Sequence, residues 1–150
     1  MNSSLHILLV EDDVVDIKSI KRALAKLELN VEMHVVCDGT EAIKFLRREG
    51  AYDSLPSYRQ PHLIVADLNM PKMNGHELLE ALKSDETLRQ IPFLVLTTSD
   101  DARDVERSYA LGAAGYVIKP LDSASFTKAI GVIEQYWGLC ARPETRAPRK

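Results

Sequence analysis

Cysteine and long apolar runs are both scarce in this chain, and each scarcity excludes a class of protein. The 150 residues include two cysteines, Cys37 and Cys140, and neither has a CxxC partner or a histidine at zinc-ligand spacing. We therefore expect neither a disulfide framework nor a zinc site. The longest apolar runs are about five residues, whereas a membrane-spanning helix needs about 20, so no membrane segment is predicted.

The first residues also lack the basic and apolar regions of a signal peptide, which makes a cytoplasmic location the expectation. A content of 45% hydrophobic and 27% charged residues suits one globular domain with its own core. Residues 138–150 carry four basic side chains and one acidic one, a net charge of +3, which leaves −6 for the other 137 residues. An acidic body argues against a DNA-binding surface. We predict a domain over residues 1–137 and a basic tail containing Pro and Arg over 138–150, either flexible or a dimer arm.

Apolar runs and helical periodicity alternate five times along the chain. Parallel neighbouring strands need a crossover, usually helical, so this alternation predicts an α/β fold whose five-stranded parallel sheet has helices on both faces. Gly50 is expected to end the second helix, and residues 51–61 form a loop longer than the usual connection of about 2–6 residues. The predicted strands are 5–10, 31–36, 62–66, 92–96 and 116–118, and the best-defined predicted helices are 75–83, 102–111 and 123–137.

Polar signatures follow the apolar runs at the points where the strands should end. The carboxyl ends of parallel strands meet at one edge of the sheet, where ligands bind. Acidic residues at the start of a helix can simply stabilise its N-terminus, so this reading stays open for the acids at residues 11–13. The signatures are Glu11-Asp12-Asp13, Asp67, Thr97 and Lys119-Pro120.

Carboxylates from two adjacent strand ends would raise each other's pKa by repulsion, which a divalent cation relieves. Magnesium is bound through carboxylates, water and phosphate oxygens, and this acidic edge offers such ligands. Because neither His nor Cys lies among these residues, zinc and copper are not expected.

Asp67, Thr97 and Lys119 together are the parts of a phosphoryl-transfer site, although each alone could be structural. A carboxylate nucleophile, a hydroxyl donor and a cation stabilise the transferring group by position and charge. Pro71 and Gly75 restrict the loop that follows Asp67.

These motifs resemble the receiver domain of bacterial two-component response regulators, in order from about Ile7 to Trp137. The resemblance implies a flavodoxin-like (βα)5 fold with strand order 2-1-3-4-5. The motifs are residues 8–13 (LLVEDD), 67–71 (DLNMP), 96–98 (LTT) and 115–120 (GYVIKP).

Three further features resemble the stand-alone regulators that serve phytochrome-type histidine kinases. They are the long connection over residues 48–61, the stretch LKSD at 82–85 before RQIP at 89–92, and the ending EQYW at 134–137. One departure from the common pattern is Leu121, where phenylalanine often follows the Lys-Pro pair.

The resemblance implies that Asp67 accepts a phosphoryl group from a sensor histidine kinase with Mg²⁺ bound. Asp12 would bind the metal directly, Glu11 would support it through water, and the main-chain carbonyl of Asn69 would be a further ligand. Lys119 would pair with phosphate oxygens, and Thr97 would reorient to hydrogen-bond one of them.

The resemblance also implies a switch and a control of phosphate lifetime. Tyr116 would turn inward with Thr97 and change the surface formed by the fourth helix, fifth strand and fifth helix. The alternative for Tyr116 is an edge aromatic with its hydroxyl in water. Asn69 and Ser99 stand at the two positions that tune phosphoaspartate lifetime in the family, and their small side chains predict modest stability.

No output domain is expected after the receiver, so function should lie in protein contacts, with a homodimer the favoured assembly. A phosphate carrier or sink in a phosphorelay and a phosphorylation-independent interaction module remain alternatives. A phosphatase of the haloacid dehalogenase type would need a second aspartate where Asn69 stands, so an enzyme is not expected. The cognate kinase, the stimulus and the downstream target are not predicted.

Overall fold

The computed structural model describes residues 4–53 and 60–142, and within them strands and helices alternate as the sequence predicts. Residues 54–59 of the predicted long loop and residues 143–150 of the basic tail lie outside the described residues. The elements are β1 (Leu5–Val10), α1 (Val14–Lys26), β2 (Val31–Val36), α2 (Gly39–Arg47), β3 (Leu63–Ala66), α3 (Gly75–Lys83), β4 (Phe93–Thr97), α4 (Ala102–Ala110), β5 (Gly115–Ile118) and α5 (Ser123–Leu139), with 3₁₀ turns at Gly50–Tyr52 and Leu88–Gln90.

The five strands form one parallel sheet in the order β2-β1-β3-β4-β5, which confirms the predicted flavodoxin-like topology. The register decides which loops meet. Val10 of β1 is paired with Ala66 of β3, and Thr97 of β4 with Ile118 of β5. The residues that follow these four positions therefore lie at one edge of the sheet.

Both faces of the sheet are buried, as a parallel sheet with crossover helices requires. Alternate residues of β1 point to opposite faces: Leu8 belongs to a core with α2 and α3, and Leu9 to a core with α1 and α5. The first core includes Phe45, Leu46, Leu78, Leu79 and Phe93, and the second includes Ile20, Ala23, Leu94, Phe126 and Ile130. The two cores hold the sheet rigid beneath its polar edge.

Helix α4 buries few of its side chains. Of its nine described residues only Ser108 is buried, and the exposed residues include Tyr109 at 50%. The buried contact is polar, because the Ser108 hydroxyl lies 2.9 Å from Nε2 of His76 on α3.

The helix ends differ from the sequence predictions in three places, and the smallest difference is that α4 ends at Ala110, one residue before the predicted end. Helix α2 ends before Gly50, because Arg48 adopts the left-handed conformation (φ 56°) and the Glu49 N–H bonds to the Lys44 carbonyl. Helix α5 continues to Leu139, two residues past the position where we placed the domain boundary. Among the residues that the structure describes, no helix combines the length and apolar content needed to span a bilayer.

Candidate functional site

The ends of β1, β3 and β5 bring three of the predicted site residues into contact. Glu11 directly follows β1, Asp67 follows β3, and Lys119 follows β5. The sheet continues by one hydrogen bond past each pair of strands, since the Asp67 N–H donates to the Val10 carbonyl (3.1 Å) and the Lys119 N–H to the Thr97 carbonyl (2.7 Å). The main chain therefore fixes where these side chains start.

The Lys119 ammonium is the centre of the site. Its Nζ lies 2.8 Å from Glu11 Oε2, 2.7 Å from Asp16 Oδ2 and 3.0 Å from Asp67 Oδ2. The side chains of Lys119 and Glu11 are 4% and 2% exposed, and that of Asp67 is 12% exposed. Three carboxylates thus share one ammonium at the edge of an apolar core, so negative charge is in excess when all three are ionised.

Asp16 is a site residue that the sequence analysis missed. It lies in the first turn of α1, where an acidic side chain is ordinarily explained by the helix dipole. The cap itself is Asp13, whose Oδ1 accepts from the N–H groups of Val15 and Asp16. Because Asp13 already fills the capping role, a second acid one turn along was the available signal that Asp16 serves another purpose.

Burial and charge shift the pKa of both groups at the centre of the site. Burial raises the pKa of Glu11, and the hydrogen bond from Lys119 only partly offsets this effect. Burial lowers the pKa of Lys119, but hydrogen bonds to Asp16 and Glu11 and the charge of Asp67 outweigh it and raise that pKa above its usual value. The lysine therefore stays charged, while burial opposes the ionised form of Glu11.

The carboxylates fit a hard divalent cation. Oxygens of Glu11, Asp16 and Asp67 all lie within 4.8 Å of one another, and an all-oxygen set is what magnesium, manganese and calcium prefer. The side chain of Asp12 is exposed and is not among these converging oxygens, and Asn69 is exposed as well. The structure therefore adds Asp16 as a candidate ligand, and the roles of Asp12 and the Asn69 carbonyl stay predictions.

Both oxygens of Asp67 are held. Oδ1 accepts from the N–H groups of Leu68 (2.7 Å) and Asn69 (3.3 Å), and Oδ2 accepts from Lys119. The carboxylate is therefore oriented from the loop side and from β5, with a fraction of its surface open to solvent.

Gly75 lets α3 begin directly against the Asp67 loop. A Cβ built on Gly75 would overlap the Asp67 carbonyl oxygen and would lie 2.8 Å from Leu68 Cα. Both neighbours are main-chain atoms, which cannot rotate away as a side chain does. The Gly75 N–H also donates to the Leu68 carbonyl at 3.0 Å, so the close approach is part of how the loop is fixed.

Gly75→Ala is expected to lower the free energy of unfolding by about 2 kcal/mol, because the added methyl group must displace the main chain that carries Asp67. Urea unfolding measures it. The matched control is Gly138→Ala on α5, where the nearest atom to the added Cβ is Glu134 Oε1 at 3.8 Å. That variant should be more stable by up to about 1 kcal/mol, since alanine favours helix. Equal stability of the two variants would contradict the close approach of Gly75 to the main chain of Asp67 and Leu68.

Thr97, Ser99 and Tyr116 form a second group beside the carboxylates. Thr97 is fully buried, and its Oγ1 accepts from the Ser99 N–H at 3.4 Å. The Tyr116 hydroxyl donates to the Ser99 carbonyl at 2.8 Å, so it is bound to the loop after β4. Burial raises the pKa of Tyr116, and the charges of Asp104, Asp101 and Asp67 add to this effect.

Comparison with known proteins identifies the same architecture and family. The model of the response regulator receiver domain matches residues 7–131. Response regulator Rcp1 from Synechocystis sp. is 37% identical over 131 residues, covering 87% of this chain and 87% of that protein.

Two solved structures resemble the chain over nearly its whole length. The phosphorylated cyanobacterial phytochrome response regulator RcpA superposes with a TM-score of 0.86 at 38% identity, covering 95% of this chain and 100% of that chain. The Mn²⁺-bound form of Rcp1 gives 0.83 at 35% identity, covering 93% and 99%. With the family model matched over most of its length, and with this fold and acidic edge, the chain belongs to the response regulator receiver domains.

Proposed function

We propose that this protein is a response regulator in which Asp67 accepts a phosphoryl group from a sensor histidine kinase. The observation that carries the proposal is the position of Asp67, whose carboxylate contacts the ammonium of Lys119 beside two further carboxylates. A nucleophile, a fixed cation and a metal-binding oxygen set in one place are what phosphoryl transfer needs.

The chemistry is a transfer between two protein side chains. An Asp67 oxygen forms a bond to phosphorus while the bond between phosphorus and the kinase histidine nitrogen breaks, and the electron pair of that bond stays on the imidazole. Since Oδ2 of Asp67 is bound to Lys119, the ammonium is placed to follow the charge onto the phosphoryl oxygens. The role is that of a signalling phosphoacceptor, not of an enzyme that turns over small phosphoesters.

Magnesium is the cofactor that this proposal requires, and it would supply positive charge to the incoming phosphoryl oxygens. Asp67 and Glu11 would hold it together with Asp12 and the Asn69 carbonyl, and Asp16 is the candidate that the structure adds. The side chains of this cluster fit this role because they offer only oxygen atoms.

The partner we propose is a phytochrome-type histidine kinase in the cytoplasm. Support comes from the similarity to RcpA, which is a phytochrome response regulator and whose structure is of the phosphorylated form. Phosphorylation would act through Thr97 and Tyr116 on the surface formed by α4, β5 and α5, and output would pass through protein contacts and not through DNA.

We further propose that the protein forms a homodimer through this surface or through its C-terminal arm. Exposed apolar side chains support it, because Val132, Tyr136 and Leu139 on α5 are 54%, 58% and 87% exposed and recur at spacings of four and three. Analytical ultracentrifugation at micromolar concentration should find dimers in at least one phosphorylation state, and monomers in both states would contradict the proposal.

The direct test of the acceptor is intact mass after incubation with a small phosphodonor and magnesium. One phosphoryl adduct that appears only when magnesium is present would support the proposal, and peptide fragmentation should locate it on Asp67. An adduct on another residue, or none from either the small donor or a phosphohistidine donor, would contradict it.

A further inference from the structure

A chain of hydrogen bonds connects the loop after β4 to helix α4. The Ser99 hydroxyl donates to Asp104 Oδ2 at 2.6 Å and accepts from the Asp101 N–H at 3.3 Å. The Ser99 N–H and carbonyl are also bound, to Thr97 Oγ1 and to the Tyr116 hydroxyl respectively. The N–H, the carbonyl and the hydroxyl of Ser99 are therefore all hydrogen-bonded, and the hydroxyl is the group that donates to Asp104.

The bond between Ser99 and Asp104 commits the hydroxyl. Its length of 2.6 Å is typical of a hydroxyl that donates to an ionised carboxylate, which is a stronger bond than one between neutral groups. A serine has one hydroxyl proton, so a proton donated to Asp104 is not available to a water molecule or to a phosphoryl oxygen. The same oxygen also accepts from the Asp101 N–H.

Asp104 is itself held in place from inside the protein. Its main-chain carbonyl accepts from the Ser108 hydroxyl at 2.8 Å, and Ser108 is fully buried. The Ser108 hydroxyl uses its one proton in the hydrogen bond to the Asp104 carbonyl. Its 2.9 Å contact with His76 therefore requires the histidine to donate from an N–H on Nε2. Burial lowers the pKa of His76, which favours this neutral form. The polar contact that fixes α4 thus also fixes Asp104.

We propose that Asp104 is a positioning residue that slows hydrolysis of the phosphorylated Asp67 by holding the Ser99 hydroxyl against α4. The inference rests on the proposed phosphoacceptor role of Asp67. Ser99 lies at the same sheet edge as Asp67, because Thr97 ends β4 and β4 pairs with β3, the strand that leads into Asp67. Asp104 touches none of the reacting atoms and acts only through Ser99.

The reaction concerned is the loss of the phosphoryl group to water. A water oxygen forms a bond to phosphorus, the bond between phosphorus and the Asp67 oxygen breaks, and its electron pair returns to the carboxylate. Inorganic phosphate leaves with the oxygen of that water. The protons of the water stay on the phosphate or pass to solvent. A Ser99 hydroxyl that is free to rotate could hydrogen-bond this water and orient it, whereas in the structure its orientation is fixed by the bond to Asp104 and by the Asp101 N–H.

The test is the rate at which the phosphoryl adduct is lost from the full chain, followed by intact mass after the phosphodonor is removed. Asp104→Ala should speed the loss at least about threefold, because it frees the Ser99 hydroxyl. Asp104→Asn should restore a rate within about twofold of the starting protein, since the amide oxygen can still accept from Ser99. Adding Asp104→Ala to Ser99→Ala should leave the rate of the Ser99→Ala protein unchanged.

Asp101→Ala is the matched control for charge and for helix stability. It also removes a carboxylate from the start of α4 and takes away the cap, in which Asp101 Oδ1 accepts from the Arg103 N–H, but it leaves the bond between Ser99 and Asp104 in place. Its rate of loss should stay within about twofold of the starting protein. Circular dichroism confirms that each variant is folded.

The outcomes separate the inference from the function on which it rests. An adduct on Asp67 whose loss is equally fast with Asp104→Ala, or is accelerated to the same extent in the Ser99→Ala protein, overturns the role of Asp104 alone. An acceleration by Asp101→Ala equal to that by Asp104→Ala does so as well, because it would reflect α4 stability. Absence of any adduct on Asp67 overturns both proposals.

Discussion

Asp67→Asn is expected to leave a folded protein that takes up no phosphoryl group, with adduct below about one-hundredth of the unsubstituted level. An amide nitrogen and oxygen lack the negative charge that makes a carboxylate a nucleophile. The fold should survive, because the amide oxygen can still accept from the Leu68 N–H and Lys119 retains the carboxylates of Glu11 and Asp16. Intact mass after treatment with a small phosphodonor and magnesium measures the result.

Asp53→Asn is the matched control, since Asp53 is exposed and lies away from the cluster around Lys119. It should acquire the same single adduct as the unsubstituted protein. A chelator added to the unsubstituted protein should suppress the adduct, because the carboxylates then lack the cation that offsets the charge of the incoming phosphoryl group. Persistence of the adduct in Asp67→Asn would show that another residue accepts the group.

Lys119→Ala is expected to lower the free energy of unfolding by about 3 kcal/mol at neutral pH. The substitution removes the only ammonium within contact of Glu11, Asp16 and Asp67 in the described part of the chain, and leaves a 2% exposed carboxylate without its counter-charge. Loss of one partner of a buried ion pair costs about this much. Urea unfolding measures the change, and added magnesium should recover part of it by binding the folded state.

The stability lost in Lys119→Ala should become smaller as the pH is lowered. Burial raises the pKa of Glu11 above its ordinary value of 4.5. The hydrogen bond and the charge of Lys119 lower this pKa, and both are lost in the variant. The folded state then binds more protons than the unfolded state, so stability falls as the pH rises above 4.5. The variant should therefore come closer to the unsubstituted protein as the pH is lowered toward 4.5.

Lys44→Ala is the control for loss of a lysine. Lys44 is half-exposed and lies 3.7 Å from Glu41 in an i,i+3 pair, which is worth less than about 1 kcal/mol at a surface. Its stability should change little and with no special dependence on pH. If Lys119→Ala behaved in the same way, the three carboxylates would not depend on the ammonium.

The positions of Glu11, Asp67 and Lys119 could be predicted because they follow from topology. Each directly follows an apolar run, and a parallel sheet brings the ends of such runs to one edge. Their main-chain atoms extend the ladders by one bond, so little depends on side-chain choice. The strand order was expected from the family resemblance and is confirmed.

What the sequence did not reveal depends on side-chain direction. Asp16 looks like an ordinary first-turn acid, and only the contact with Lys119 distinguishes it. Arg48 ends α2 in a conformation that usually favours glycine, although Gly50 stands two residues later. The bond between Ser99 and Asp104 joins residues five apart across a helix start, a spacing with no periodic signature. Such contacts depend on rotamers that the pattern of residue types leaves open.

The light packing of α4 has a consequence for how the molecule comes apart. A helix that buries one side chain contributes little apolar area, so the free energy needed to detach it is far below that of the sheet. The main-chain amides of α4 should exchange their hydrogens with solvent when the helix detaches locally. Those of β1, β3 and β4 should exchange only when the whole domain unfolds. A perturbation worth one or two hydrogen bonds is then enough to change the population of attached α4 without disturbing either core.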